Sequence, residues 1–207
     1  MFTTQKISLV WLSSFILLSG CVAGEIQKGR MALLYGDPNV AIGHFQRAAE
    51  LDPDYLYYSV LPQGVWTYVG RANYNARKFP GALKALERAR SKYEQDDLAK
   101  LYLGLVLVRN GNQARGLKEI QSGLRGIHDW LDYVDFNLNS SYGQFWDPTR
   151  KMRSEIESTL AMFSGRDVDV QKVIASGEWI GRKMEEEIDL AQKDEQLHHG
   201  RRAGGDN

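Results

Sequence analysis

The feature that most constrains this 207-residue chain is a set of small residues recurring at fixed separations. Residues 29 to 53 carry Gly29, Gly36-Asp37, Ala41, Phe45, Ala48 and Pro53, landmarks 7, 5, 4, 3 and 5 residues apart. A second copy reads Trp66, Gly70, Tyr74, Ala82, Leu86 and Ala89. A third reads Leu103-Gly104, Leu107, Gly111-Asn112, Gly116, Ile120 and Gly123. Gly70 and Gly104 are 34 residues apart, whereas Gly29 and Gly70 are 41 apart, which places a seven-residue insert within 54–62. A tandem period of this size means one supersecondary unit copied along the chain, each copy burying its apolar face against the next. The small residues let two antiparallel helices approach closely, the bulky residue of each copy fills the gap to its neighbour, and Pro53 closes a helix.

These landmarks resemble the tetratricopeptide repeat: glycine, turn glycine, alanine, aromatic, alanine, closing proline. The resemblance implies an all-α fold of three helical hairpins, an α-solenoid, over about 22–53, 63–96 and 97–130. Helix pairs are expected near 22–35 and 38–51, 64–77 and 80–93, and 97–110 and 113–126. The second copy departs from the family pattern, with Lys78 in place of the turn aspartate and no closing proline. In the third, glycines replace alanines, which keeps the close approach but weakens a helix by up to about 1 kcal/mol each. The insert, rich in Tyr55, Tyr57 and Tyr58, reads as either a helical extension or an aromatic loop. Three repeats are about the minimum for a self-supporting stack, and its ends need caps.

The repeat pattern stops near residue 130, and 131–197 reads as a helical C-terminal extension. Its first part interleaves Trp130, Tyr133, Phe136, Tyr142, Phe145 and Trp146 with Asp129, Asp132, Asp135 and Asp147. A helix near 149–164 follows, capped by Thr149 or Asp147, then a longer one over about 168–195 whose Gly177 and Gly181 suggest close approach to another helix. Residues 198–207 read as a disordered tail. Two readings of this third stay open: a cap that buries the last repeat, and an acidic-aromatic binding surface, since exposed tryptophans and tyrosines are typical anchors.

The N-terminus supplies an address. Residues 1–20 hold a lone charge, Lys6, and an apolar run from Ile7 to Leu18, too short for a stable bilayer-spanning helix and suited to an export signal. Leu18-Ser19-Gly20-Cys21 resembles the lipobox of bacterial lipoproteins, which implies cleavage before Cys21 and lipidation of its thiol. At roughly 0.8 kcal/mol per buried methylene, several acyl chains anchor a protein permanently. Val22 and Ala23 lack the aspartate that retains such lipoproteins at the inner membrane, so the resemblance implies the outer membrane, facing the periplasm.

Composition narrows the function classes. With 26 basic and 26 acidic side chains the chain has no polyelectrolyte character and no expected nucleic-acid partner. One cysteine excludes an internal disulfide and a cysteine-cluster metal site. The spacing of Asp129, Asp132 and Asp135 puts them along a helix face rather than around an ion, and His44, His198 and His199 read as surface or tail residues. No phosphate-binding loop, dinucleotide glycine pattern or hydrolase motif is present, so no enzyme, cofactor or metal is expected.

In tetratricopeptide stacks the first helix of each repeat lines a concave groove. Mapped onto this chain, that face holds Ala23, Ile26, Arg30, Leu33 and Leu34, then Gly64, Thr67, Arg71, Tyr74 and Asn75, then Leu98, Leu101, Leu105, Val108 and Arg109. The resemblance thus brings Arg30, Arg71, Tyr74, Asn75 and Arg109 together as partner-binding residues suited to a peptide carboxylate or acidic side chains. The alternative is that these arginines pair with acids of the C-terminal helices, and Leu98, Leu101 and Leu105 call for such a cover. The expected function is a non-enzymatic, membrane-anchored scaffold or adaptor for protein partners in the cell envelope, in assembly, secretion or pilus-type machinery. The alternative class is a small-ligand-binding accessory lipoprotein of a transport system.

Overall fold

The computed structural model describes residues 6–57, 61–138, 143–165 and 167–203, with side chains from Gly20 onward except at 138, 192 and 195–203. Among them are eight α-helices: α1 (Lys6–Leu34), α2 (Pro38–Leu51), α3 (Val65–Asn75), α4 (Phe79–Lys92), α5 (Asp97–Arg109), α6 (Gln113–Leu138), α7 (Lys151–Met162) and α8 (Val170–Ala203). A 3-10 turn at Gly143–Phe145 and a two-strand antiparallel ribbon, β1 (Leu56–Tyr57) with β2 (Gln63–Gly64), complete the described structure. The protein is all-α. Among the described residues no helix is long and apolar enough to cross a membrane.

The turns joining α1 to α2, α3 to α4 and α5 to α6 are the same turn. In each, the residue just past the first helix has a left-handed backbone: Gly36 (φ 81°), Arg77 (φ 59°) and Gly111 (φ 85°). Each donates its N–H three residues back, to Leu33, Tyr74 and Val108, and the next residue donates five back, to Ala32, Asn73 and Leu107, at 2.8–3.1 Å. That pair of bonds satisfies carbonyls a helix end leaves unpaired and reverses the chain within two residues. The following helix starts at once, Asp37 capping α2 by accepting the Val40 N–H at 3.1 Å with Pro38 in the first turn.

Within each hairpin the closest approach also repeats. A β-carbon on Gly29 would overlap the Phe45 ring, one on Gly70 the Leu86 side chain, and one on Gly104 the Ile120 side chain and backbone. Ala41, Ala48, Ala82 and Ala89 are fully buried beside them. The helices from α1 to α6 pack consecutively, and α8 then returns to pack on α5 and α7 and to reach α1.

Two apolar groups form the core. One joins Val22, Ile26, Phe45, Tyr68 and their neighbours from α1 to α4. The other runs from Leu86 through Leu101, Leu105, Ile120 and Trp146 to Ile180, Met184 and Ile188. Asp96 ties the two ends together: it caps α5 through the Ala99 N–H at 2.8 Å and accepts from the Thr67 hydroxyl and the Gly64 N–H at the start of α3.

The C-terminal third departs from the expected boundaries. α6 does not stop near 126 but continues to Leu138, with Ile127, Leu131 and Val134 forming its buried stripe there. α8 continues to Ala203, into the segment expected as a disordered tail. The insert is not a helical extension among its described residues: Leu56–Tyr57 form β1, which pairs with β2 just beyond the insert, its other described residues are irregular, and Tyr58 lies outside the described residues. Trp146, expected among possible surface anchors, is 2% exposed and meets Trp130 edge-on at 4.9 Å. Tyr142 lies outside the described residues. Of the two expected caps, Asp147 is the one used: its buried carboxylate accepts the N–H groups of Met152 and Arg153, both at 2.9 Å. Arg153 returns the contact through its Nε at 3.2 Å and reaches Asp135 at 2.6 Å, so α6 and α7 are joined by a buried guanidinium.

Gly104 meets backbone, not a yielding side chain: a β-carbon would lie 2.6 Å from the Gly116 carbonyl oxygen and the Ile120 nitrogen. Gly104→Val should therefore cost about 3 kcal/mol, the upper end for overpacking. Arg77→Gly should stabilise by up to about 1 kcal/mol, because glycine enters the left-handed region without the penalty an L side chain carries there. Urea unfolding midpoints at constant slope check both.

Candidate functional site

The face lined by α1, α3 and α5 is the one on which sequence reasoning placed the partner-binding residues. In the structure α8 lies across it. Its covering has an apolar half and a charged half, each determined by what the underlying helix offers.

Over α5 the contact is apolar. Gly177 lies against Leu101 and Leu105, and Gly181 against the Tyr102 ring so closely that a β-carbon would meet it at 2.8 Å. Leu98, Leu101 and Leu105 are fully buried, together with Ile180 and Met184 of α8. The two glycines stand one turn apart, which turns their flat side continuously toward α5.

Over α1 and α3 the contact is electrostatic. Arg30 and Arg71 are buried to 0% and 2% exposure, and both engage Glu185 of α8, itself 3% exposed. Arg30 Nε donates to Glu185 Oε1, and its other nitrogens reach Asp189 at 2.9 Å and Gln27 at 3.0 Å. Arg71 forms an ion pair with Glu185 Oε2 at 2.8 Å and donates to Gln63 Oε1 at 2.5 Å. Tyr57 lies 5.5 Å from the Arg30 guanidinium, while Tyr68 and Tyr102 flank Arg71 at 5.5 and 5.3 Å. Rings in those places supply cation–π attraction where water is excluded.

Burial alone would raise the Glu185 carboxyl, but the guanidiniums of Arg71 and Arg30 outweigh it and hold the group below the ordinary carboxylate range. Burial alone would likewise lower both guanidiniums; Glu185 first, together with the neighbouring tyrosines, more than offsets that. The Tyr68 hydroxyl is pushed well up, chiefly by its complete burial and then by the Glu185 charge.

Further along the groove, Tyr74 donates to Glu178 of α8 at 2.6 Å and Arg109 donates to the same oxygen at 2.8 Å. Burial and then the Glu178 bond raise the Tyr74 hydroxyl. The structure thus brings four of the five expected site residues, Arg30, Arg71, Tyr74 and Arg109, onto the chain's own α8. Asn75 is exposed beside them. It lines an open cleft of about 250 Å³ with Arg77, Phe79 and Arg182 among its walls.

Sequence reasoning left the alternative of internal pairing open without naming the acids, which are Glu178, Glu185 and Asp189. Glu185 stood in the acidic run Glu185 to Glu187, which helical periodicity reads as a solvated face; only its position opposite Arg30 and Arg71 marks it as buried. Asp132 and Asp135 turn toward Arg153. Among the described residues no group of three His, Cys, Asp or Glu side chains is arranged to hold a metal ion. Cys21 is exposed on α1. Nearby, Glu25 is held down to about 2 by His44 first and then Lys28, with Arg47 adding to the effect. No family model, no curated protein and no solved structure matches the chain.

Removing one partner of a buried ion cluster leaves uncompensated charge, so Glu185→Ala should destabilise by about 3–5 kcal/mol. The pH dependence has a definite sign. A carboxyl whose folded pKa is depressed contributes its full stability above the unfolded value, roughly 4.3, and loses it as pH falls toward the folded value. The stability difference between the natural chain and Glu185→Gln should therefore be constant near neutrality and shrink as pH drops below about 4.3. Denaturant titrations at a series of pH values measure it, and a difference that grew in acid would contradict the assignment of Glu185 as ionised.

Proposed function

We propose that the protein is a non-enzymatic, lipid-anchored scaffold of the bacterial cell envelope, built on three tetratricopeptide-like hairpins and holding protein partners at the periplasmic face of the outer membrane. One observation carries the scaffold reading: the three hairpins share the same left-handed turn, the same pair of turn hydrogen bonds and the same glycine-on-bulky-residue contact. Repeated hairpins present extended surfaces and are used for binding rather than for chemistry.

The anchor rests on Leu18-Ser19-Gly20-Cys21 and on the exposure of the Cys21 thiol at the edge of the fold. The docking surface follows from where α8 lies. Because α8 occupies the arginine-bearing face, the surface offered to a folded partner is the outer one, where α6 ends in exposed aromatics. Phe136 is 88% exposed and Tyr133 58%, with Asp129 beside them on the same helix. Aromatic anchors ringed by charge are typical of partner-binding spots, and a free side chain the size of phenylalanine is otherwise a liability in water.

Two experiments in the native source test this reading. Cys21→Ala should abolish acyl labelling and release the protein from the membrane fraction; retention of Cys21→Ala in membranes would remove the anchor. A photo-reactive residue at position 136 should crosslink to a discrete envelope protein, with Tyr133→Ala reducing the yield severalfold, while the same group at position 75 should give little. Crosslinking from position 75 alone would move the docking surface to the groove, and none from either position would overturn the scaffold.

A further inference from the structure

The cleft between the end of α3, the end of α5 and α8 carries charge that the fold does not use. Arg77 enters it from the α3–α4 turn, Arg109 from the end of α5 and Arg182 from α8. A single carboxylate lines it, Glu178, and that one is taken by Arg109 and the Tyr74 hydroxyl. Arg77 and Arg182 are both exposed, and neither forms an ion pair within 4 Å among the described side chains. Two guanidiniums that face one concavity, neither of them held in an ion pair, repel each other and attract an anion, which they bind through paired N–H groups.

Part of the lining is aromatic. Tyr74 contacts Phe79 and Tyr102, each with ring centroids 5.6 Å apart, and all three rings line the cleft. The cavity, about 250 Å³, adjoins a smaller one of about 80 Å³ that shares Asn75, Tyr102 and Arg182 and is lined further by Arg71, Glu185 and Glu186, both carboxylates being already paired, Glu185 with Arg30 and Arg71 and Glu186 with Lys183. Arg71 Nε, on a residue of that smaller cavity's lining, is buried with no hydrogen-bond partner among the described residues. This is the size and character of a small-molecule site: concave, partly apolar, with a few convergent polar groups.

An independent observation concerns Arg77. At the corresponding position of the other two hairpins stand Gly36 and Gly111, as the left-handed backbone favours. The second hairpin alone keeps a long cationic side chain there, against the local preference of the turn. Residues held in disfavoured backbone conformations cluster at binding sites, where the side chain rather than the backbone is what matters.

We propose that this cleft binds a small organic anion, with its carboxylate or phosphate between Arg77 and Arg182 and a flat apolar body on the Tyr74–Phe79 wall. The inference goes beyond the scaffold reading and does not depend on it.

Isothermal titration of the full chain in detergent, with benzoate, phenyl phosphate, inorganic phosphate and phenol as probes, tests the proposal. At least one aromatic anion should bind saturably and at least tenfold more tightly than phenol, with affinity falling as salt is raised. Which of the two binds better identifies the preferred head group. Arg182→Ala and Arg77→Gly should each weaken binding tenfold or more. Arg77→Gly should do so while leaving the ligand-free protein at least as stable as the natural one, an outcome that a purely structural role for Arg77 would not give. Absence of saturable binding by both aromatic anions would overturn the proposal. So would equal affinity for phenol, inorganic phosphate binding as tightly as phenyl phosphate, or affinity unchanged in both variants.

Discussion

Two guanidiniums carried by different hairpins are buried together only if a counter-charge is buried with them, and in this chain it comes from Glu185. Desolvating three charges is expensive, and an apolar triad of the same volume would hold the helices about as well or better. What the ionic version supplies is register. Glu185 meets both Arg30 and Arg71, and Asp189, one turn on, meets Arg30 again. A shift of α8 by one residue turns Glu185 by about 100° away from both partners and leaves two cations stranded in the core. The position of α8, and with it the shape of every surface α8 borders, follows from that constraint.

The rest of α8 is arranged to suit. Its first half has to lie on the leucines of α5, and it does so with the side chains it lacks at Gly177 and Gly181. Its second half crosses α3 and α1, where the groove offers cations, and there the sequence turns acidic. Where the helix passes from one regime to the other stands Arg182, whose exposed side chain lines the cleft outside these ion pairs. The cleft is the space left at that transition.

The hairpins were legible in the sequence because their determinants are local. A turn glycine, an aspartate–proline start and small residues at fixed offsets lie within one unit, and the helix limits they implied agree with the structure to within one or two residues over α2 to α5. The covering of the groove was legible only as an alternative, because Arg30 and Glu185 are 155 residues apart and no periodicity links them. Trp146 was misplaced for a similar reason: in an alternation of acids and aromatics it looks half-exposed, and only the edge-on contact with Trp130 shows otherwise. The β1–β2 ribbon, two residues a strand, is too short for alternation to register. Arg77 was passed over because a basic residue in a turn is unremarkable until its backbone is seen to be left-handed.

The burial of Val22 has a mechanical consequence on the anchored reading. Val22 is 2% exposed and Ile26 fully enclosed, so buried side chains begin one residue after the Cys21 thiol. Most tethered domains hang on a linker and sweep a hemisphere whose radius grows with its length. On the anchored reading there is no leash. The hairpin stack would stand on the bilayer like a post set in its footing, with one pole held at the head groups and little freedom to tilt. Anything it grips must then already be within one molecule's height of the membrane.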